Sequence, residues 1–558
     1  MGGAQPDGVR AGLTTHDCFR DVAVTHPIDF RQQAEQLIRI GLALSSQRDL
    51  NALLEMIVDQ SRAFTGADAG TLYIVRPAQN HLSFEVVQND TFKVRLGGKS
   101  EARITFPPVP LSIDGQPNMS HVSAYAANTG KVVNIPDVYE AEGFDFTGTR
   151  SYDARTGYRS KSMLVIPMKD YENEIIGVLQ LINAQDPEAK GAVPFAPDAV
   201  DLTASLASMA AVAITNVRLI RDLENLFEAF IKTIASAIDE KSKYTGGHIR
   251  RVTDLTVSIA RKVSETQTGP LAYIRLTPDE MNELRIAAWM HDVGKITTPE
   301  YVVDKARKLE TIFDRIELVR ARFELAQREV EAEALRRKLS LLRAGQAEDA
   351  RLAEIDREAQ GRIQALRADL DFLAQCNTGG EFMEDARIAR LKEIASRTVQ
   401  VRGDAMPLLT EDEVYNLSIR KGTLTPEEVG VMRNHAAVSV KMLSQLPFSR
   451  KLRRVPEYAG GHHEALNGKG YPQGLTADRL PLQARIMAIA DVFEALTAHD
   501  RPYKKPMPLS QAIKIIGAMV KEGALDPDLV DLCIREGVFL DYAKRELNPD
   551  QLDVAGTG

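Results

Sequence analysis

Between residues 30 and 217 the apolar positions follow two different periods. Spacing in which apolar residues recur every three or four positions predicts amphipathic helices over residues 32–44, 50–64 and 199–217. Short runs that are rich in β-branched and aromatic residues, and bounded by Asn and Gly, predict strands. These strands are expected over residues 70–75, 82–88, 162–168 and 175–183. The pattern therefore predicts one mixed α/β domain over residues 30–218.

A heptad pattern follows this domain. Its apolar positions are spaced alternately by three and four residues, which is typical of a coiled-coil seam. They are Ile220, Leu223, Phe227, Phe230 and Ile234. The pattern predicts a linking helix over residues 219–235 that pairs with its twin in a homodimer. The alternative is that the stripe packs against its own domain, which is the expected packing near Ile234.

Residues 305–417 form a long, highly charged stretch with two further heptad patterns. The first includes Ile312, Ile316, Val319, Phe323, Ala326 and Val330. The second includes Leu352, Ile355, Ala359, Ile363, Leu366, Leu370 and Leu373. A turn at residues 344–346 between two helices of similar length predicts an antiparallel hairpin. Its narrow apolar stripe is typical of a protruding coiled coil with solvated charges, and a third short helix is expected over residues 384–395.

Composition sets the broad class of protein. A chain of 558 residues with 44% hydrophobic and 26% charged residues is expected to form two or three globular domains. The net charge of −8 and the lack of a long apolar run predict no nucleic-acid or membrane partner. The scattered Cys18, Cys376 and Cys533 are typical of reduced thiols in the cytoplasm. Residues 1–29 are expected to be a disordered leader.

Half of the ten histidines lie in short segments that also carry aspartates. This donor set comprises His248, His291, Asp292, His435, His462, His463 and Asp491. A lone histidine is more often packed or solvated than a ligand, but a cluster beside helix-like apolar sequence favours a metal site. Imidazole and carboxylate donors together suit iron, manganese or zinc. Asp292 can use both carboxylate oxygens, which makes it the natural bridge between two metals, and Gly294 is expected to end the preceding helix.

These segments resemble the HD-GYP family, a branch of the HD superfamily of metal-dependent phosphohydrolases. The matching residues are 247–252, 291–295, 432–435, 462–464, 470–472, 491–493 and 501–504. They occur in the family's order over residues 226–545, with residues 305–417 as an insertion. Residues 30–218 resemble a GAF domain, with the best local match at residues 153–162. The expected fold is multidomain: an α/β GAF sensor domain, then an all-α HD-type phosphohydrolase domain with an inserted helical hairpin.

The resemblance implies a bacterial signalling enzyme that hydrolyses cyclic di-GMP to pGpG, with further cleavage to GMP left open. It implies two divalent metals, iron being preferred and manganese or zinc the alternatives. Asp491 and His248 are expected to join His291 at one metal, and His435, His462 and His463 to hold the other. Asp292 and Lys295 are the candidate catalytic residues. The candidate substrate contacts are Lys295, Tyr471, Arg501 and Lys504.

Several alternatives remain open from the sequence. Another cyclic dinucleotide could be the substrate, or the protein could be a catalytically silent receptor or scaffold, whereas the GYP loop disfavours a di-iron oxygenase. The GAF domain is expected to bind an unknown small ligand, and the alternative is that it serves only for dimerisation. Asn183, Phe195 and Asp198 fit a cyclic-nucleotide signature, but Ala184 replaces its lysine. A protein partner is considered at the hairpin or the GYP loop. Three-metal family members have a glutamate where this chain has Tyr244, so two metals are expected.

Overall fold

The computed structural model describes residues 30–100, 102–186, 191–241, 247–380, 382–401, 404–498 and 506–553. The predicted leader, Tyr244, Arg501 and Lys504 lie outside these residues. The chain divides into two compact units, one up to Leu226 and one from Phe227 onward. The domain boundaries given above remain predictions.

The first unit is a central antiparallel sheet with helices on both faces. Its helices are α1 (Phe30–Ser46), α2 (Leu50–Thr65), α3 (Val122–Thr129), α4 (Thr147–Thr156) and α5 (Pro197–Asp239), the last of which continues into the second unit. Its strands are β1 (Ala67–Arg76), β2 (His81–Asn89), β3 (Val94–Gly97), β4 (Val109–Pro110), β5 (Ser112–Ile113), β6 (Gln116–Pro117), β7 (Val133–Ile135), β8 (Met163–Lys169), β9 (Ile175–Asp186) and β10 (Gly191–Val193). The strand order is β3-β2-β1-β9-β8-β7, with β4 beside β2 and β10 beside β9.

Two apolar layers enclose this sheet. Leu53, Ile57 and Leu206 from α2 and α5 pack against one face, and Val122 and Ala126 from α3 belong to the cluster on the other. All three helices and four strands predicted for residues 30–217 are present. The predicted α/β domain is confirmed.

The linking helix is not a separate element. Residues 199–235 belong to the single helix α5, because no glycine or proline interrupts the sequence between Pro197 and Asp239. Leu223 and Phe230 of the heptad are largely exposed, whereas Phe227 and Ile234 pack against the core of the second unit. Of the helices in the described ranges, α5 alone is long and apolar enough to cross a membrane, a test that core helices of water-soluble proteins also pass.

The second unit is predominantly helical. Its helices are α6 (His248–Glu265), α7 (Pro278–Met290), α8 (Glu300–Val303), α9 (Ile316–Arg343), α10 (Asp349–Asn377), α11 (Asp385–Ala395), α12 (Glu411–Leu417), α13 (Pro426–Leu443), α14 (Val455–Gly460), α15 (Leu482–Thr497), α16 (Leu509–Lys521), α17 (Pro527–Arg535) and α18 (Val538–Glu546). One apolar core joins α6, α7 and α14–α18 with the end of α5.

The insertion has its own apolar core, separate from that of the surrounding helices. Ion pairs of 2.8 Å between Arg337 and Glu358 and between Glu333 and Arg362 show that α9 and α10 run antiparallel, as predicted. We call the outer parts of α9 and α10 the arms, and residues 305–315 together with 378–417 the base. Ile312 was predicted to begin the apolar stripe, but this is wrong: it precedes α9 and is 98% exposed.

The base of the insertion contains an element that the sequence pattern did not predict. Strands β11 (Thr398–Val401) and β12 (Asp404–Pro407) form a small antiparallel hairpin between α11 and α12. Strands of this length are too short to produce a recognisable alternation of apolar and polar residues. The insertion is therefore a small folded module, not a coiled coil alone.

Candidate metal centre

Five separate segments of the second unit bring the predicted donor residues together. His248 begins α6, His435 lies within α13 and Asp491 lies within α15. His291 and Asp292 follow α7, while His462 and His463 follow α14. All are buried except His463, which is partly exposed. The structure thus places all seven predicted metal ligands in one cluster.

The turn after α7 lets two adjacent residues face the same centre. Helix α7 ends at Met290, and a 3₁₀ turn begins at Val293, so His291 and Asp292 lie at the helix end as expected. The predicted helix stop is therefore present, and it precedes Gly294 by four residues. A Cβ on Gly294 would lie 2.0 Å from the His435 carbonyl oxygen. Glycine is required here because α13 passes directly against the turn.

The two carboxylate oxygens of Asp292 face different histidines. Oδ2 lies 3.3 Å from His291 Nε2 and 3.6 Å from His248 Nε2. Oδ1 lies 3.3 Å from His435 Nε2 and 3.9 Å from His462 Nε2. The donor groups accordingly form two clusters suited to a metal, which we call the first half-site (His248, His291 and Asp292) and the second half-site (His435, His462 and His463).

Asp491 lies at the edge of both half-sites. Its Oδ1 is 3.4 Å from His248 Nε2 and 3.9 Å from His291 Nε2. Its Oδ2 is 3.9 Å from His463 Nδ1. This position is consistent with the predicted role at the first half-site.

Backbone carbonyls fix the protonation of three of the histidines. Nδ1 of His291, His435 and His462 each contacts the carbonyl oxygen three residues earlier, at Ala288, Met432 and Ala459. A carbonyl only accepts, so each Nδ1 carries the proton, which leaves a lone pair on Nε2 in the neutral ring. These three Nε2 atoms and Asp292 Oδ1 are buried without a hydrogen-bond partner among the described residues. Unpartnered acceptors that converge in this way fit divalent metal ions.

The ionisation of the cluster also suits metal ligands. Burial lowers the pKa of His462 well below its usual value and that of His463 to about 4, so both rings are neutral near pH 7. Burial alone would raise the pKa of Asp292, but the Lys295 ammonium holds it well below the usual range. Neutral imidazoles and an ionised carboxylate are the forms that bind metals.

Glu494 is a functional residue that the sequence reasoning missed. It is fully buried on α15, and its Oε2 accepts a hydrogen bond from His248 Nδ1. Its Oε1 accepts from Arg251 Nε at 2.7 Å. A carboxylate behind a histidine ligand fixes the tautomer and orientation of the ring. Glu494 follows Asp491 by three residues on one helix, and this spacing was the signal that could have revealed it.

Asp239, at the end of α5, is a second missed carboxylate. It lines a small cavity of about 30 Å³ together with His248, Asp292 and Lys295. Burial raises its pKa to about 6, against the opposing influence of His248. Asp239 lies beyond the linking helix predicted over residues 219–235, and nothing in the sequence indicated that it would lie near the metal donors.

Lys295 lies beside the cluster. Its ammonium nitrogen is 2.5 Å from Asp292 Oδ2, and its side chain is partly exposed. The charge therefore touches the carboxylate that both half-sites share and also reaches solvent.

The GYP loop covers the second half-site. The Tyr471 ring lies 4.7 Å from the His463 ring, centroid to centroid. The Arg433 guanidinium, which was not predicted as a site residue, lies 5.4 Å from the Tyr471 ring. An aromatic ring and a cation thus stand at the rim of the centre, a combination that can contact a base.

The neighbouring Glu464 holds the GYP loop in place. Its carboxylate accepts backbone hydrogen bonds from Gln473 at 2.7 Å and Leu475 at 2.8 Å. Asn467, which replaces an aspartate of the family pattern, donates to the Glu522 carbonyl at 2.8 Å. Both residues support the loop, and neither was predicted to bind metal or substrate.

The first unit contains a separate cavity of about 510 Å³. Tyr73, Phe84 and Phe106 line its wall, with neighbouring rings in tilted contact. The Tyr73 and Ser123 hydroxyls both donate to Gln180 Oε1, at 2.9 and 3.0 Å. Such a mostly apolar cavity with a few polar groups is typical of a small-ligand site.

Family models match parts of both units. A GAF domain model matches residues 49–214. Two HD domain models match the second unit, one over residues 245–361 and the other over residues 408–529. Residues 362–407, between the two HD matches, include the inner part of α10, α11 and the β11–β12 hairpin.

Curated relatives match the chain over short stretches. A probable cyclic di-GMP phosphodiesterase of Vibrio cholerae is 38% identical over 136 residues, which is 23% of this chain and 30% of that protein. A cyclic di-GMP phosphodiesterase of Thermotoga maritima is 36% identical over 134 residues, 24% of this chain and 35% of that protein. The 3'3'-cGAMP-specific phosphodiesterase 1 of Vibrio cholerae is 38% identical over 132 residues, 24% of this chain and 29% of that protein.

The chain therefore spans about a third of the length of the curated relatives it matches. An HD domain implies divalent metal binding, which agrees with the two donor clusters. The chain joins an N-terminal GAF domain to an HD domain, in agreement with its resemblance to the HD-GYP family.

Proposed function

We propose that the protein is a metal-dependent phosphodiesterase that hydrolyses cyclic di-GMP to pGpG, with GMP as a possible further product to be tested. The observation that carries this proposal is the position of Asp292, whose two oxygens face two sets of histidines with unpartnered nitrogens. The names of the similar phosphodiesterases support the substrate class.

Two divalent ions are proposed at the half-sites, with iron preferred over manganese and zinc. Asp491 would complete the first half-site, and Asp292 would join the two. When bound, such ions supply Lewis acidity toward the phosphoryl oxygens and the attacking water. The chain's own contribution is to hold imidazoles, of which those of His462 and His463 are neutral near pH 7, and an ionised carboxylate in one cluster before the substrate arrives.

The residues around the cluster can position the substrate. Lys295 offers a compact positive charge to a phosphate oxygen, because its ammonium is already held at the edge of the site. Tyr471 and Arg433 stand where a guanine base could pack against them. Arg501 and Lys504 are proposed as further substrate cations on the basis of the family motif alone.

A related cyclic dinucleotide is the second candidate substrate, because a relative named for 3'3'-cGAMP is as similar as those named for cyclic di-GMP. A silent receptor would bind nucleotide without cleaving it. Protein purified without oxygen and loaded with Fe²⁺, Mn²⁺ or Zn²⁺ should be incubated with each dinucleotide, and the products separated by chromatography. Cleavage that Asp292→Ala abolishes is the expected result; binding without any cleavage under all three metals would favour the receptor.

Regulation is proposed to come from the GAF domain in a cytoplasmic homodimer. Leu219, Ile220, Leu223 and Leu226 leave large apolar side chains exposed along α5, which a second copy of the helix would cover. Light scattering should show a dimer for the wild type and a monomer for Leu223→Glu. A monomeric wild type would contradict this assembly. The aromatic cavity of the first unit is proposed as the site of the GAF ligand, whose identity is open.

A further inference from the structure

Helix α13 carries His435 between two anchoring residues. Glu428, His435 and Ser439 are spaced by seven and four residues on this helix. Because an α-helix has 3.6 residues per turn, the three side chains leave one face within about 40° of each other. That face meets the segment containing His291 and Asp292.

Ser439 forms the first anchor, one turn after His435. Its hydroxyl donates to the His291 carbonyl at 2.8 Å and accepts from the Gly294 N–H at 2.9 Å. Both contacts are buried and lie within the metal-binding part of the unit. This anchor sets the distance between the last turn of α13 and the turn that bears Asp292.

Glu428 forms the second anchor, two turns before His435, and its partner is Lys305. The Lys305 side chain is 1% exposed, and its Nζ lies 2.8 Å from both carboxylate oxygens of Glu428. The same ammonium donates to Asn416 Oδ1 at 3.1 Å. Asn416 lies near the end of α12, in the base of the insertion. The Thr423 hydroxyl donates to the Lys305 carbonyl at 2.7 Å and holds the backbone of this residue.

We propose that Lys305 is a positioning residue that holds α13 so that His435 faces Asp292, and that it makes the base of the insertion a working part of the second half-site. The inference rests on the two-metal function proposed above. A buried ammonium has three hydrogens, and here they are directed to a carboxylate and an amide on two different helices. Removing the ammonium would remove the buried contact between α13 and the base. The exposed hydrogen bond from the Tyr415 hydroxyl to Glu427, at 2.8 Å, and the Ser439 anchor would remain.

The insertion provides a matched control in Lys308. This lysine is 1% exposed and also belongs to the base. Its Nζ donates to the carbonyls of Leu417 at 3.2 Å and Ile419 at 2.7 Å, neither of which is part of α13. Lys308→Met therefore removes an equally buried lysine from the base but leaves the Lys305–Glu428 contact intact.

The test compares metal content in the full chain. Wild type, Lys305→Met and Lys308→Met are reconstituted with Mn²⁺ and dialysed, metal per chain is measured by mass spectrometry, and anomalous diffraction assigns each ion to a half-site. We expect wild type and Lys308→Met to retain two ions. Lys305→Met should lose the ion held by His435, His462 and His463 and keep the other, with at least a tenfold weaker affinity for the second ion.

Retention of both ions by a folded Lys305→Met protein, at wild-type affinity, would overturn the inference. If Lys305→Met does not fold, Glu428→Gln takes its place in the test. Glu428 accepts a hydrogen bond of 2.8 Å from the Thr425 N–H, and the side-chain oxygen of glutamine can still accept it. That variant should also lose the second ion selectively, and an unchanged ion content would equally reject the role of Lys305. A wild type that binds fewer than two ions would instead contradict the proposed two-metal function, so the two failures are distinguishable.

Discussion

Replacing Glu494 by glutamine should weaken metal binding at the first half-site, although the residue contacts no proposed metal position. Glu494 gives one oxygen to Arg251 and the other to His248 Nδ1. Glutamine has one oxygen and one NH₂ group, so it cannot accept from both neighbours. Arg251 approaches the same oxygen with both Nε and Nη2 at 2.7 Å, and this paired contact should retain the remaining oxygen.

The NH₂ group would then face His248 Nδ1, and two donors would be opposed. His248 can relieve this conflict by moving its proton to Nε2, but that is the atom that faces Asp292 and Asp491. Loss of a carboxylate behind a histidine ligand typically weakens metal binding 10–100-fold, which corresponds to roughly 1.4–2.7 kcal/mol. We expect the first ion to be affected by this amount and the second ion much less.

The assay is calorimetric titration of metal-free protein with Mn²⁺ at neutral pH. Glu546→Gln is the matched control, because Glu546 also pairs with an arginine of α6, Arg250, at 2.7 Å but touches no donor histidine. It should bind both ions as wild type does. A Glu494→Gln protein whose first-ion affinity stays within a factor of two of wild type would refute the reasoning.

Three further predictions follow from the described geometry. The first removes residues 334–361 and joins Glu333 to Arg362 through a short glycine turn, because these two residues already form a 2.8 Å ion pair. Metal content should be unchanged, and a folded deletion variant without metal would contradict an outlying position of the arms. Burial raises the pKa of Cys533 to about 12, so a thiol reagent at pH 8 should label this residue only when the protein unfolds. The free energy of unfolding should fall as the pH rises past about 9, because only the unfolded thiol ionises there. Rapid labelling of the folded protein would count against this prediction. Anomalous scattering should show two metal peaks per chain, and a third fully occupied peak beside Asp239 would show that this carboxylate serves where Tyr244 replaces a glutamate.

The sequence predicted the donor cluster well because each donor belongs to a short motif whose chemistry is local. The residues behind the donors were harder to predict. Glu494 contacts His248, which lies 246 positions away in the chain, and its spacing from Asp491 was the one local signal for it. Asp239 lines the cavity beside His248, and nothing in its own segment distinguishes it from a surface acid. Gly294 was assigned to a helix end, whereas it is needed for the approach of α13, a contact that only the tertiary structure reveals.

The fold was likewise predicted only in part. Strong periodicity gave the helices α1, α2, α9 and α10 and the central strands, because their apolar faces are long enough to show a period. The base of the insertion was predicted only in part, since β11 and β12 are four residues each. The heptad positions predicted a helix that links the two domains, and they lie within α5. The helix predicted over residues 199–217 joins it because no helix-breaking residue separates the two.

The insertion lies between Asp292 and His435, so it lengthens the chain segment that must close when the two half-sites meet. Loop-closure entropy grows only with the logarithm of segment length, by about 0.6 kcal/mol for each doubling. Residues 305–417 lengthen this segment roughly fivefold, which corresponds to about 1.4 kcal/mol if the segment were fully flexible. Because the insertion has a core of its own, it shortens the effective loop and removes part of that entropy loss. A module of this size can therefore be accommodated in the middle of a metal centre with little thermodynamic penalty.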